Sequence, residues 1–324
     1  MTPTAQAPDA RQVRASDLGA PLYVAWQITN ECNLRCLHCI EESGPQRAFP
    51  GELDPAQAFS ILGQLVECQV PTVCFSGGEP MLHPGFFEMA MRLCAGGVSL
   101  KVETNGHFLS QENCLRLKES GVQSVQVSLD GATQESYSAL RPGGKLDLVL
   151  EGLGNLQAAG IPLEVNFCPT RANIAEAERI VDMAHAAGAT GFYTGRTMYT
   201  GGAVRVWERL APSEDQYRSF FAALHRKAQE YKGRMRVRYH EMGLVEELKY
   251  RLSHPAALFI ILPDGRVKLI NALPFVCGDL RTERLTDVWA AFQRAWKDPR
   301  VGEFVAGMER RPELAAELHR WVRL

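Results

Sequence analysis

Short apolar runs rich in β-branched and aromatic residues recur at Tyr23–Ile28, Thr72–Phe75, Leu100–Glu103, Ser124–Ser128, Leu163–Phe167 and Phe192–Thr194. Each is continuous rather than alternating, which predicts strands whose two sheet faces are both buried. Helical patterns fill the intervals. Asp54 precedes Pro55 with Gln57 three residues on, an N-cap followed by proline at the first helical position. Asp147 to Ala159 carries apolar residues at helical spacing and stops at Gly160, and Asn173 is placed to cap a helix that runs to Ala187 and ends at Gly188. Six such βα units predict a parallel sheet with right-handed crossovers and helices outside. Six is fewer than the eight of a closed barrel, so the expected fold class is α/β, a partial (β/α)6 TIM-like barrel, open at one side. Chemistry is then expected at the carboxyl ends of the strands.

After Ala203 the period changes. Ser213 and Gln216 form a capping-box pattern that opens an amphipathic helix towards Tyr231. Ala257–Leu262, the turn Pro263-Asp264-Gly265-Arg266 and Val267–Ile270 predict a hairpin, and helical patterns follow at Thr286–Trp296 and Pro312–Val322. The expected division is a flexible tail over 1–20, the barrel over 21–212, a helical linker over 213–254 and a small α+β domain over 255–324.

Apolar content of 46% supports a sizeable core, and a net charge of −2 gives no electrostatic case for nucleic acid or an anionic membrane. No run is long and apolar enough to span a bilayer, and the first twenty residues lack a signal peptide's apolar stretch. Nine cysteines in such a chain fit a reducing cytoplasm better than a disulfide framework.

Three of those cysteines change the picture. Cys32, Cys36 and Cys39 stand as C-x-x-x-C-x-x-C in the loop that follows the first predicted strand. Three thiolates on one loop hold three corners of a cubane iron–sulfur cluster and leave the fourth iron open, which points to an enzyme rather than to simple electron transfer. A structural zinc site using His38 as fourth ligand is the competing reading, although His38 is adjacent to Cys39 and poorly placed to share a metal with it. The other alternative is that three of nine cysteines cluster by chance.

The spacing, with Asn33 after the first cysteine and the aromatic His38 before the last, resembles the radical S-adenosylmethionine (SAM) superfamily. The resemblance implies one [4Fe–4S] cluster on Cys32, Cys36 and Cys39, whose open iron chelates SAM. One electron from a flavodoxin- or ferredoxin-type donor then cleaves SAM to methionine and a 5′-deoxyadenosyl radical that takes hydrogen from a substrate.

Ser76-Gly77-Gly78-Glu79-Pro80 ends the second strand. Paired glycines let backbone approach a ligand closely and Glu79 adds an anion; an ordinary tight turn is the plain alternative. One βα unit after the cysteines, this segment matches the family's site for the SAM ammonium. Thr104-Asn105-Gly106 and Ser128-Leu129-Asp130-Gly131 end the next two strands, and Arg141 offers a planar fork. The resemblance assigns Asn105, Ser128, Asp130 and Arg141 to SAM, and Asn166 to SAM or substrate. Asp130 reads equally as a turn residue, Arg141 as a surface residue before Pro142, and Asn166 as a satisfied core amide. Arg196 and Tyr199 are candidates for substrate contact, with packing as the alternative, and the catalytic acid, base or quencher is otherwise unknown. His83 and His107 read as solvated loop histidines, and His240 and Glu241 have no assigned role.

The tail from Leu258 to Trp289 resembles the twitch/SPASM extension, which ordinarily holds auxiliary clusters. Here Ile270 and Asn271 stand where that extension places a cysteine, and Cys277 is the single cysteine after Cys168. One thiolate does not hold a cluster, so the expectation is a degenerate domain serving as a lid or dimerisation surface. Cys68, Cys74, Cys94, Cys114 and Cys168 read as small core residues. The resemblance spans roughly residues 20–300. It implies a substrate that is either a ribosomal peptide or cofactor precursor, or a small molecule such as a tetrapyrrole or natural-product intermediate. The first twenty residues are too short for a fused leader-recognition domain, so a peptide substrate would call for a separate partner. The reading from a different class is a non-catalytic iron–sulfur or zinc-binding interaction protein.

Overall fold

The computed structural model describes residues 15–324, so the expected tail lies outside the described residues over 1–14. Ala15–Asp17 form a 3-10 turn, and the carbonyls of Ala15 and Leu18 accept from Gln293 and Trp289.

The strands are β1 Tyr23–Thr29, β2 Thr72–Gly77, β3 Ser99–Thr104, β4 Ser124–Ser128, β5 Leu163–Phe167, β6 Gly191–Gly195, β7 Arg236–His240, β8 Leu258–Ile261, β9 Arg266–Lys268, β10 Phe275–Asp279 and β11 Val322–Arg323. The helices are α1 Pro55–Glu67, α2 Phe86–Ala95, α3 Gln111–Glu119, α4 Gln134–Leu140, α5 Leu146–Ala158, α6 Ala177–Ala186, α7 Trp207–Leu210, α8 Glu214–Glu230, α9 Leu244–Ser253, α10 Leu285–Ala295 and α11 Pro299–Arg310. One sheet of eleven strands runs in the order β11-β10-β9-β8-β1-β2-β3-β4-β5-β6-β7. From β8 to β7 every neighbouring pair is parallel, and β9 returns antiparallel on β8.

The barrel class holds, with the six expected strands joined by a seventh, β7, inside the segment expected to be a helical linker. Its residues alternate between exposed and half-buried. A short edge strand of Arg-Val-Arg-Tyr-His buries only half a face and carries no continuous apolar run, so periodicity missed it. The hairpin of β8 and β9 forms as expected around Gly265, whose φ of +85° is the left-handed turn conformation. β8 also pairs directly with β1, in the register Tyr23 to Leu258 through Trp26 to Ile261, which makes the C-terminal hairpin an edge of the barrel sheet itself. Helix α9 falls within the segment expected to be helical, α11 was not expected, and Pro312–Glu317 is a 3-10 turn rather than a helix continuing to Val322.

Capping follows the sequence at two of the expected points. Asp54 with Gln57 and Ser213 with Gln216 both form complete capping boxes. Asn173 does not cap. Its side chain accepts from Thr170 and donates to the carbonyls of Asp130 and Cys168, tying the ends of β4 and β5 together. Val73, Phe75, Leu100, Val102, Val125, Val127, Val165 and Phe192 form a fully buried layer between the sheet and its outer helices. The opposite face of the strands looks into the lumen and is polar: Lys101 pairs with Glu164 at 2.8 Å, and Tyr193 donates to Glu164 at 3.0 Å.

Candidate active site

β1 lies between β2 and β8, so the loop leaving its carboxyl end sits at the centre of the sheet's upper rim. Glu31 and Glu52 shape that loop. The Glu31 carboxylate accepts from the backbone of Gln46, Arg47 and Ala48, and Glu52 accepts from Asn30, Phe49 and Thr29. Neither was singled out from sequence; an acid beside the first cysteine was the available signal.

Each sulfur of the loop has an N–H donor of its own. Leu34 N points to Cys32 Sγ at 3.5 Å, Ser43 N to Cys39 Sγ at 3.3 Å and Arg141 Nη1 to Cys36 Sγ at 3.5 Å. Asn105 Nδ2 adds a longer contact of 3.7 Å to Cys32. A neutral thiol is a poor acceptor, whereas a metal-bound thiolate is a good one, so this donor set suits iron–sulfur ligation. Burial pushes the Cys32 thiol up to about 12 and the Cys39 thiol up to about 11, and it raises Cys36 as well. Protonated at neutral pH, the three thiols ionise on binding metal. His38 does not turn towards them. Its Nε2 lies 3.5 Å from Asp130, and burial lowers the imidazole to about 4, so it is neutral.

The Gly77-Gly78 pair sits where the ends of β1 and β2 press together. A Cβ on Gly77 would lie 2.2 Å from Thr29 O, and one on Gly78 would lie 2.1 Å from Glu31 O. The glycines let the end of β2 press on the backbone leading into the cysteine loop, with Gly78 N and Glu79 N donating to Thr29 O and Glu31 O. Glu79 likewise does not present an open anion. It is fully buried, accepting from Thr104 Oγ1 and Asn105 N at 2.9 Å each. It therefore positions the Thr104-Asn105-Gly106 turn. Asn105 passes the order on: Nδ2 donates to Asn33 Oδ1 at 2.8 Å, and Oδ1 accepts from His107 N and Nδ1. His107 Nε2 accepts from Lys145 N at 2.9 Å, which fixes the proton on Nδ1 and corrects the solvated reading. His83 is likewise engaged, its Nδ1 accepting from Gly85 N.

Burial raises the Glu79 carboxyl to about 7. A folded-state pKa above the unfolded value contributes stability that is complete below pH 4.5 and lost as pH rises to about 7, worth at most about 3 kcal/mol. His38, with its lowered pKa, acts in the opposite sense between about 4 and 6.5. The difference between wild type and Glu79→Gln isolates the carboxyl. Wild-type stability relative to the variant, measured by urea denaturation of metal-free protein, is expected to fall between pH 5 and pH 8.

Asp130 and Arg141 are both buried and paired, with Nε at 2.6 Å and Nη2 at 2.5 Å from Asp130 Oδ2, while Asp130 Oδ1 accepts from Cys168 N at 2.7 Å. Neither the turn reading nor the surface reading describes them. The guanidinium is committed to Asp130 and Cys36, so it is a brace for the cysteine loop. Ser128 and Asn166 lie side by side in register at the ends of β4 and β5, half-buried on the lumen face, and neither side chain has a protein partner. They stand one layer above Gln126 and Glu164, which belong to the polar floor.

Arg196 is taken up by structure. It grips Glu214 with two bonds of 2.7 and 2.9 Å, donates to Glu241 O at 2.7 Å and stacks over Tyr217 at 4.4 Å. Tyr199 packs edge-on against Trp207 and is partly exposed where two open clefts of about 900 and 560 Å³ meet. Cysteine-loop residues line neither cleft. Gly201 and Gly202 let the chain after β6 lie on the cysteine loop, with Gly202 N donating to Cys39 O at 2.9 Å. Cys74 and Cys114 are core residues as expected, while Cys68 and Cys94 are partly buried at its edge. Cys168 is no core residue; it sits at the rim, its Sγ 4.0 Å from Thr197 Oγ1. Cys277 is buried with its thiol on Val267 O at 3.5 Å.

The family model described as the radical SAM superfamily matches residues 26–184. Residues 26–184 thus carry a radical SAM domain, and members of that superfamily use a [4Fe–4S] cluster and SAM. Among its relatives is the mycofactocin maturase MftC of Mycobacterium tuberculosis H37Rv, 38% identical over 200 residues, which are 61% of this chain and 50% of that protein. The chain thus spans about half the length of that relative. The AdoMet-dependent heme synthase of Nitratidesulfovibrio vulgaris is 26% identical over 304 residues, 87% of this chain and 83% of that protein. Streptococcus suis SuiB bound to SAM shares the fold with a TM-score of 0.70 at 16% identity, over 89% of this chain and 68% of that one. No helix among the described residues is long and apolar enough to cross a membrane.

Proposed function

We propose that this chain is a radical SAM enzyme that matures a ribosomal peptide or a cofactor precursor, acting in the cytoplasm with a flavodoxin- or ferredoxin-type electron donor. Cys32, Cys36 and Cys39 would hold the [4Fe–4S] cluster, and SAM would complete its open iron. When bound, the pair supplies a hydrogen-abstracting radical from one electron. The observation that carries this reading is the separate N–H donor directed at each of the three sulfurs.

The chain's own residues orient and shield. Asp130 holds Arg141 against Cys36, and Glu79 holds the turn whose Asn105 reaches Cys32. The side chains of Asp130, Glu79 and Arg141 brace the loop from within the protein. Ser128 and Asn166 keep unused hydrogen-bonding groups on the lumen face, available to a ribose, a carboxylate or the substrate. Backbone groups of Gly77 to Glu79 would meet the SAM ammonium. Similarity to a maturase, and to a fold crystallised with the precursor peptide SuiA, supports a peptide or precursor substrate. Similarity to heme synthases over 87% of the chain supports a tetrapyrrole as the second reading.

Anaerobic reconstitution is expected to load about four irons per chain, and dithionite with SAM then to yield 5′-deoxyadenosine, read by mass spectrometry. A loaded protein that makes none would defeat the enzyme reading.

A further inference from the structure

The solvent side of the cysteine loop carries two guanidiniums that make no ion pair within the described residues. Arg35 stands between the ligands Cys32 and Cys36, and Arg47 lies on the return of the same loop, both exposed. Their stems meet over Gly44, where a Cβ would lie 2.9 Å from Arg35 Cγ and 3.6 Å from Arg47 Cγ. Gly44 O in turn accepts from Cys32 N at 3.3 Å, so the pair rests on the backbone that carries the first sulfur. Arg35 Nη2 donates to Pro45 O at 3.1 Å, which holds that fork in place and leaves most of its donors to solvent.

The other charges of the loop are engaged. Glu31 is turned onto the backbone amides of Gln46, Arg47 and Ala48, and Glu52 onto those of Asn30 and Phe49. Glu42 pairs with Arg205, Glu41 is buried, and Arg141 is committed to Asp130 and Cys36. Two like charges held over one glycine repel each other, and incoming carboxylates would relieve that repulsion with charge-assisted, bidentate bonds. The exposed large apolar side chains, Met91, Leu115 and Tyr250 among them, lie outside this loop, so the face lacks the apolar core of a permanent interface. A small, polar, cationic face is the makeup of a transient electron-transfer contact steered by charge.

We propose that Arg35 and Arg47 form the docking face for an acidic flavodoxin that reduces the cluster through this loop. The docking face rests on the enzyme reading above and names the place where its electron enters. Carboxylates around the donor's flavin meet the two guanidiniums and set the flavin edge against the backbone between Cys32 and Cys36. The anionic flavin hydroquinone gives one electron to the oxidised cluster and becomes the neutral semiquinone, so no proton moves. Entry from the solvent side leaves the lumen side of the loop to SAM and the substrate.

The test uses the full reconstituted chain, a ¹⁵N-labelled bacterial flavodoxin and the variants R35E/R47E and R35Q/R47Q. NMR titration is expected to place the wild-type chain on the acidic residues around the flavin, with affinity at least about tenfold weaker for R35E/R47E and a smaller loss for R35Q/R47Q. Formation of 5′-deoxyadenosine driven by limiting reduced flavodoxin is expected to fall by a similar factor in R35E/R47E, while iron content and the dithionite-driven rate stay at the wild-type level. Raising salt from about 20 to about 300 mM is expected to slow the flavodoxin-driven rate of wild type and to leave that of R35Q/R47Q nearly flat. Unchanged flavodoxin affinity in R35E/R47E would overturn the docking face, as would a salt-independent wild-type rate. Equal losses with dithionite and flavodoxin, or a drop in bound iron in both variants, would make the arginines part of the loop's own structure and overturn it too. Dithionite-driven cleavage without flavodoxin binding sinks the docking face alone, and arginine-dependent binding without cleavage by either reductant sinks the enzyme reading alone.

Discussion

Cys36→Ala is expected to fold and to lose SAM cleavage by at least about a thousandfold, with bound iron falling from about four per chain towards zero. Two thiolates on one loop do not retain a cubane cluster. The fold survives because the sheet is built from Val24 and Trp26 on β1 and their partners on β2 and β8, none of which needs the sulfur. Cys36 is only partly buried, and what its side chain gives up is the contact from Arg141. Circular dichroism and iron analysis on the same sample check both halves of the expectation. The same substitution at Cys168 is expected to leave iron content unchanged, because that thiol lies at the rim of β5 and bonds Thr197.

Asp130→Ala is expected to be the most destabilising single change at the site, by about 3–5 kcal/mol in urea denaturation of the metal-free protein. Asp130 is fully buried and carries two loads at once, the Arg141 guanidinium and the Cys168 backbone N–H. Removing it strands a buried cation beside Cys36 and orphans a backbone donor. Replacing both partners, as in Asp130→Ala with Arg141→Met, is expected to recover part of the loss, because an apolar pair leaves no uncompensated charge. A double variant no more stable than Asp130→Ala would mean that the lost backbone acceptor, rather than the stranded arginine, dominates.

The barrel was readable because each strand sets a buried apolar residue at every second position against the outer helices, as Val125 and Val127 do, although its other face is polar and not buried as expected. Ser124–Ser128 and Leu163–Phe167 were expected with the bounds the structure gives them. β7 and α9 were not, since Arg236–His240 is an exposed edge and α9 buries little beyond Leu248. The cysteines were legible from spacing alone, as three donors on one short loop constrain each other locally. What the other strand ends do was not legible. Whether Glu79, Arg141 and Asp130 face a ligand or brace the loop depends on which side chains meet across β2, β3 and β4, and spacing along the chain carries no such information. Arg196 shows the same limit: its partner Glu214 opens α8, a helix legible in the sequence whose packing against the end of β6 was not.

The open-iron claim is tested most directly by electron–nuclear double resonance on the dithionite-reduced, reconstituted protein with SAM labelled with ¹⁵N at its amino group. Direct ligation of the open iron predicts a ¹⁵N hyperfine coupling to the cluster that appears on adding labelled SAM and is absent with unlabelled SAM. A reduced cluster whose spectrum is unchanged by SAM, with no ¹⁵N coupling, would contradict it.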